Sequence, residues 1–159
     1  FFIGLFENGS PLFIQKRVGQ KLESFSLIKF RTMPKGVRSA GTHLIKDIKL
    51  SSFGFFLRRT KIDEIPQLIH VFLGDMSLVG PRPCLYNQRK LIKERKKRGV
   101  FKVKPGITGL AQIKGITMQT PTLLAKTDAM MNKKMNLYYY LYYIFMTILI
   151  LLKRKSQLF

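Results

Sequence analysis

The chain has 159 residues, 46% of them hydrophobic, and carries 29 Lys+Arg against 8 Asp+Glu, for a net charge of +21. That apolar fraction excludes a disordered basic tail, and that charge sets the chain apart from an ordinary soluble enzyme. A folded domain working against a polyanion fits both, whether nucleic acid, an anionic membrane surface or phosphorylated substrates. A lone Cys84 beside His43 and His70 excludes an intramolecular disulfide and a cysteine-based zinc cluster.

Residues 1–6 are apolar and Glu7–Pro11 reads as a turn. Leu12–Gln15 and Phe25–Phe30 are expected to be short strands flanking a hairpin turn at Arg17–Lys21. Residues 34–52 read as a loop, and Phe53–Thr60 as a short helix. From Ile62 to Leu73 the apolar residues fall at 62, 65, 68, 69, 72 and 73, which predicts a helix with Pro66 near its first turn. Gly74, Gly80, Pro81 and Pro83 predict loop. Leu85–Gly99 reads as a strongly basic helix ended by Gly99. Its cluster at 93–98 is expected to be a solvated face, one that can also meet anionic lipid at about 1 kcal/mol per charge. Lys104–Gly109 predicts a turn, with Gly106 and Gly109 there for backbone freedom. Leu110–Ile113 predicts a short extended piece and Thr122–Met135 a helix.

Leu137–Leu152 is a 16-residue run in which Thr147 is the one polar side chain besides tyrosine, and Lys153-Arg154-Lys155 follows it. At 1.5 Å per residue it reaches about 24 Å, short of a bilayer core of about 30 Å. A partly inserted interfacial helix and a buried core helix compete. The net charge and the tyrosines at 138, 139, 140, 142 and 143 favour membrane contact. With no repeat or linker, one domain over residues 1–159 is expected: α+β and helix-rich, with short strands near the N-terminus.

Acids are scarce, so the adjacent Asp63-Glu64 pair stands out. Its plain explanation is the first turn of a helix, where a carboxylate gains about 0.3–1 kcal/mol from the dipole. Against that stand Arg58, Arg59 and Lys61 before it and Arg82 between two prolines after it. Arginine suits bidentate phosphate recognition, and the cations are expected to depress both carboxyl pKa values. A carboxylate in such a place can hold Mg²⁺ or attack phosphorus itself. Gln15, Arg17, Lys29 and Arg31 are candidate substrate contacts or surface strand residues. Asp75 either joins the acids or begins a turn, and His70 reads as structural.

Five segments in order carry a resemblance: Pro11–Gly19, Lys29–Met33, Leu57–Gln67, Gly74–Pro83 and Lys104–Gln112. Together they resemble the bacterial sugar transferase family, monotopic phosphoglycosyl transferases that start glycan assembly on undecaprenyl phosphate. The resemblance implies transfer of a sugar 1-phosphate from a UDP-sugar to polyprenyl phosphate, with release of UMP, on the cytosolic face of the bacterial inner membrane. It implies Asp63 as the nucleophile of a covalent intermediate and Glu64 as the Mg²⁺-associated acid. Arg58 and Arg82 would handle phosphate. The family's N-terminal membrane helix would be largely missing, with residues 1–6 its remnant or the stretch just after it. Lys114–Met118 stands where the family often has an Asn-Gly-Arg-Asn type run, and Met131 and Tyr140 replace usual acidic or aromatic residues, so the donor sugar is not implied. A catalytically inactive relative and a basic nucleic-acid-binding module are the rival readings.

Overall fold

A computed structural model describes residues 10–33 and 51–155. Residues 34–50 of the loop expected over 34–52 and the opening apolar run lie outside them, while Ser51 and Ser52 already belong to the helix that follows. Strands β1 (Leu12–Val18) and β2 (Ser24–Phe30) form an antiparallel hairpin in which Phe13 faces Lys29, Gln15 faces Leu27 and Arg17 faces Phe25. Alternation therefore places Phe13, Gln15, Arg17, Phe25, Leu27 and Lys29 on one face. The strands run further than the sequence pattern suggested, and Arg17 sits in β1, not in the turn.

Helix α1 (Ser52–Thr60) begins on a Ser51 cap that accepts from the Gly54 amide. Gly54 is there because a Cβ would lie 2.6 Å from the Thr32 carbonyl, so α1 rests directly on the chain leaving β2. Lys61, with φ 61°, then turns the chain sharply. The helix expected over Ile62–Leu73 is two pieces: a 3₁₀ segment, Ile62–Gln67, and the short α2 (Leu68–Phe72). Pro66 explains the break, since it cannot donate to an α-helical ladder and crowds the preceding turn.

The stretch expected to be loop at Gly74–Pro83 and the turn expected at Lys104–Gly109 each give one strand, β3 (Ser77–Val79) and β4 (Gly106–Thr108), to a small parallel sheet. Gly106 is required for close approach and not for a turn. A Cβ on it would lie 2.0 Å from the Gly80 nitrogen. The segment Leu110–Ile113, expected to be extended, is the one-turn helix α4. Helix α3 (Arg89–Lys97) starts later than predicted and ends at Gly99 in the left-handed region. Helix α5 (Pro121–Lys134) opens with proline, whose fixed φ suits a first turn.

Helix α6 (Leu137–Lys155) packs against β3, β4 and α1. Tyr143 is buried, the Tyr140 hydroxyl meets Ser77 at 3.1 Å, and Thr147 meets Thr108 at 2.6 Å. One side of α6 is thus core. The other side leaves Leu137, Leu141, Phe145, Ile148, Leu149 and Leu152 exposed. No described helix is long and apolar enough to cross a membrane. The domain is α+β and helix-rich. One part of its core gathers Val18, Cys84, Leu91, Ala111, Leu124 and Ala125 between hairpin, α3, α4 and α5.

Candidate active site

The hairpin, the run from α1 into the 3₁₀ piece and the Gly80–Pro83 loop meet around the acid pair. The 3₁₀ piece carrying Asp63 and Glu64 lies against the β2 side of the hairpin, and the turn at Lys61 aims it there. A left-handed lysine costs about 1–2 kcal/mol. That cost is offset locally: the Lys61 carbonyl accepts from the Glu64 amide, and its ammonium lies 3.2 Å from Glu64 Oε1.

Both acids are buried, at 6% and 7% exposure, yet their fates differ. Burial pushes the Glu64 carboxyl up, but the charges and hydrogen bonds of Arg82 and Lys61 outweigh it and hold its pKa at about 2. Arg82 donates to Glu64 Oε1 at 2.7 Å and to Oε2 at 3.4 Å. Burial, reinforced by the negative charge on Glu64, raises the Asp63 pKa, and the pull of Lys29, Lys61 and Arg82 does not cancel that. The expectation that the cations would depress both acids is therefore overturned for Asp63. Desolvation wins because its cations stand further off and Asp63 Oδ1 receives no hydrogen bond from the described residues.

The cationic side comes from the hairpin, α1 and the Gly80–Pro83 loop. The Lys29 amine lies over the Phe13 ring at 5.2 Å. Burial first, and then Arg82, Arg58 and Arg17, lower its pKa to about 8 despite the attraction of Asp63. Arg58 donates to Thr32 Oγ1 at 2.7 Å, and burial lowers its pKa against the pull of Asp63. Arg82 keeps 39% of its side chain exposed, so its guanidinium can meet an incoming phosphate while still gripping Glu64.

The remaining predicted contacts are tied to the protein itself. Arg17 donates to Gln15 at 2.7 Å and to the Pro83 carbonyl at 3.3 Å, so both residues brace the Arg82 loop. Arg31 donates to the Leu12 carbonyl and stacks over Phe13 at the far end of the hairpin. His70 is structural as expected. Its Nε2 accepts from the Ile28 amide, which places its proton on Nδ1, facing Asp75 at 3.1 Å. Asp75 is thus engaged with His70 rather than with the acid pair.

Two contributors were missed. Lys61, next to the acids in sequence, was read only as part of a basic run. Arg95, assigned to a solvated face, is 2% exposed and paired with the fully buried Asp128, its Nη2 lying 2.7 Å from Oδ2. Met131 and Tyr140, at positions where the family pattern departs, are core and sheet contacts.

Among the described residues no three His, Cys, Asp or Glu side chains cluster to form an all-protein metal cage. Mg²⁺ needs none, since it commonly takes one or two carboxylates plus substrate phosphates. Glu64 Oε2, with its single long contact at 3.4 Å, and the unpartnered Asp63 Oδ1 are hard oxygens that fit such an ion.

What the α+β domain presents is thus a buried acid pair with Lys29, Lys61 and Arg82 around it. The sequence profile described as bacterial sugar transferase matches residues 1–154, and the chain belongs to that family. It is 47% identical over 108 residues to an uncharacterised sugar transferase of Bacillus subtilis, covering 67% of this chain and 53% of that protein. It is 43% identical over 124 residues to the UDP-glucose:undecaprenyl-phosphate glucose-1-phosphate transferase of Escherichia coli, covering 72% of this chain and 26% of that protein. A third relative is the UDP-N-acetylgalactosamine-undecaprenyl-phosphate N-acetylgalactosaminephosphotransferase of Aeromonas hydrophila, 36% identical over 112 residues, covering 66% of this chain and 26% of that protein. The chain thus matches between a quarter and about half the length of these relatives.

Proposed function

We propose that this domain transfers a sugar 1-phosphate from a UDP-sugar to undecaprenyl phosphate in two displacements on Asp63, opening the assembly of a surface glycan. The observation that carries the reading is the division within the acid pair: Glu64 is held ionised by Arg82 and Lys61, while Asp63 keeps an oxygen without a partner. A carboxylate oxygen already saturated by hydrogen bonds is a poor nucleophile, and an unpartnered one is not.

In the first step an Asp63 oxygen attacks the β-phosphorus. The bond from that phosphorus to the bridging oxygen breaks, and its electron pair leaves with UMP. Arg82, Arg58 and Lys29 surround the acid and can balance charge on the departing phosphate. In the second step an oxygen of the lipid phosphate attacks the same phosphorus, and the acyl phosphate bond breaks. That restores the Asp63 carboxylate and yields a polyprenyl diphosphate sugar. Glu64 would hold Mg²⁺, which neutralises diphosphate charge when bound. The raised Asp63 pKa makes its carboxylate, once ionised, the more basic and the better nucleophile.

The acceptor's isoprenoid tail leaves a bilayer at a cost of about 0.8 kcal/mol per CH₂, so the site must work at headgroup depth. Support comes from apolar side chains exposed around the acids, Ile65, Leu68, Ile69 and the 89%-exposed Phe72, and from the outer side of α6. The proposed setting is the cytosolic face of the bacterial inner membrane. Incubation with UDP-sugars alone should release UMP and leave a phosphosugar on a peptide containing Asp63. Lipid product formed without any labelled protein would exclude the two-step route.

A further inference from the structure

Helix α3 is basic along its length, yet its cations are not alike. Lys93, Lys96 and Lys97 are exposed, whereas Arg95 is 2% exposed and its partner Asp128 on α5 is fully buried. Burying such a pair rarely adds stability, because desolvation of both charges matches or exceeds their attraction, and well-packed apolar residues would often serve better. Arg95 does something an apolar residue would not. Its Nε and Nη2 face Asp128 Oδ2, and its Nη1 donates to the Arg82 main-chain carbonyl at 2.8 Å.

That carbonyl belongs to a loop anchored at every step. The Pro81 carbonyl accepts from the Gly106 amide at 2.9 Å, Pro83 from Arg17 at 3.3 Å and Cys84 from the Val18 amide at 3.0 Å. Four successive carbonyls are thus gripped from three parts of the chain: the end of β1, α3 and the start of β4. Arg95 grips the residue whose guanidinium holds Glu64. We propose that Arg95, oriented by Asp128, is a positioning residue that places Arg82 for the transfer, transmitting the α3–α5 packing to the reacting centre. The proposal rests on the transferase reading for its kinetic readout and on the loop geometry for the other.

The test compares wild type with Arg95→Lys and with the double variant Arg95→Met/Asp128→Leu. Each is assayed for thermal midpoint, for kcat and KM of UMP release from a UDP-sugar, and for exchange of the Val18 and Gly106 amides that donate to the loop carbonyls. Lysine can keep the pairing with Asp128, but its single nitrogen cannot also span to the Arg82 carbonyl. The double variant removes the pair without leaving a buried charge. Both should melt near the wild-type temperature, lose about 10- to 100-fold in kcat with KM within about threefold, and exchange faster at Val18 and Gly106 while α5 stays protected. The donor should still bind because the other three carbonyls remain held. A stable double variant with wild-type kcat and loop exchange would show the pair to be structural only and overturn the proposal. If the double variant does not fold, Arg95→Lys decides by the same readouts. If wild type releases UMP from no UDP-sugar, the transferase reading fails, and loop exchange alone then decides the positioning role: faster in the variants supports it, unchanged refutes it.

Discussion

Gly106→Ala tests how the fold places the chemistry. The added Cβ would lie 2.0 Å from the Gly80 nitrogen, 2.5 Å from its Cα and 2.6 Å from the Val79 carbonyl carbon, and real Cβ contacts essentially never fall below 3.0 Å. All three neighbours are backbone, so no side-chain rotation relieves the overlap. β3 and β4 must part by about 1 Å. Overpacking of this kind costs about 1–3 kcal/mol. Strain on the Gly80–Thr108 and Gly106–Pro81 hydrogen bonds, 2.8 and 2.9 Å long, adds about 1 kcal/mol. The expected loss of about 2–4 kcal/mol leaves a folded but weakened domain. Gly80 leads directly into Arg82, and a misplacement near 1 Å costs about 10²-fold in rate. The control is Gly115→Ala: φ there is +66° but nothing lies within 4 Å, so the cost is only the left-handed backbone, with no change in turnover. Urea unfolding and UMP release from donor alone should separate the two variants. Were Gly106→Ala to match Gly115→Ala in both assays, the close approach would not position the site.

Asp63→Asn should abolish UMP release and protein labelling by at least about 10³-fold in a donor-only burst assay, with circular dichroism unchanged. Wild-type donor turnover should rise with pH through a value above the ordinary carboxylate range as Asp63 ionises, because its pKa is raised. It should then weaken through a higher donor KM above about pH 8, where Lys29 loses its charge, and Lys29→Met should erase that alkaline limb. Chelation should stop turnover and Mg²⁺ should restore it; full activity in chelator would remove the metal from Glu64. The chain should float with anionic liposomes and resist high salt in part. Leu141→Ser/Phe145→Ser, on the exposed side of α6, should leave binding mostly salt-sensitive. Deleting α6 is the wrong test, since Tyr143 and Tyr140 belong to the folded interior.

What the sequence disclosed follows from the range of each signal. The hairpin, α1, α5 and α6 announce themselves through local periodicity, and the acid pair through the scarcity of acids. The parallel β3–β4 pair did not, because three-residue strands among Gly and Pro carry no period, and their partners are 29 residues apart. Arg95 looked like its neighbours because its partner lies 33 residues away on another helix. The helix over Ile62–Leu73 was over-extended because apolar spacing cannot distinguish 3₁₀ from α across a proline. Burial is likewise invisible in sequence, and it reversed the expectation for Asp63 while leaving that for Glu64 intact.

A strongly basic chain has no difficulty attracting anions; its difficulty is keeping a nucleophile reactive among so many cations. A carboxylate gripped at short range is stabilised and so a weaker nucleophile, and Glu64 is held in that way, with Arg82 and Lys61 on its oxygens. Asp63 avoids it through geometry. One residue earlier on a 3₁₀ turn, it points about 120° away. In that direction lie the hairpin and its Lys29, whose pKa near 8 marks a cation only loosely held in its charged form. Glu64 engages Arg82 and Lys61 and leaves Asp63 beside it without such a grip, the division of labour that the proposed two-step transfer calls for. The assignment can be read by exchange: Glu64→Gln should free Arg82 and lessen the like-charge pressure on Asp63. Its pKa should fall and the acid limb of the pH profile should move to lower pH. A limb that stays in place would mean that burial alone sets Asp63, and that Glu64 has no share in tuning the nucleophile.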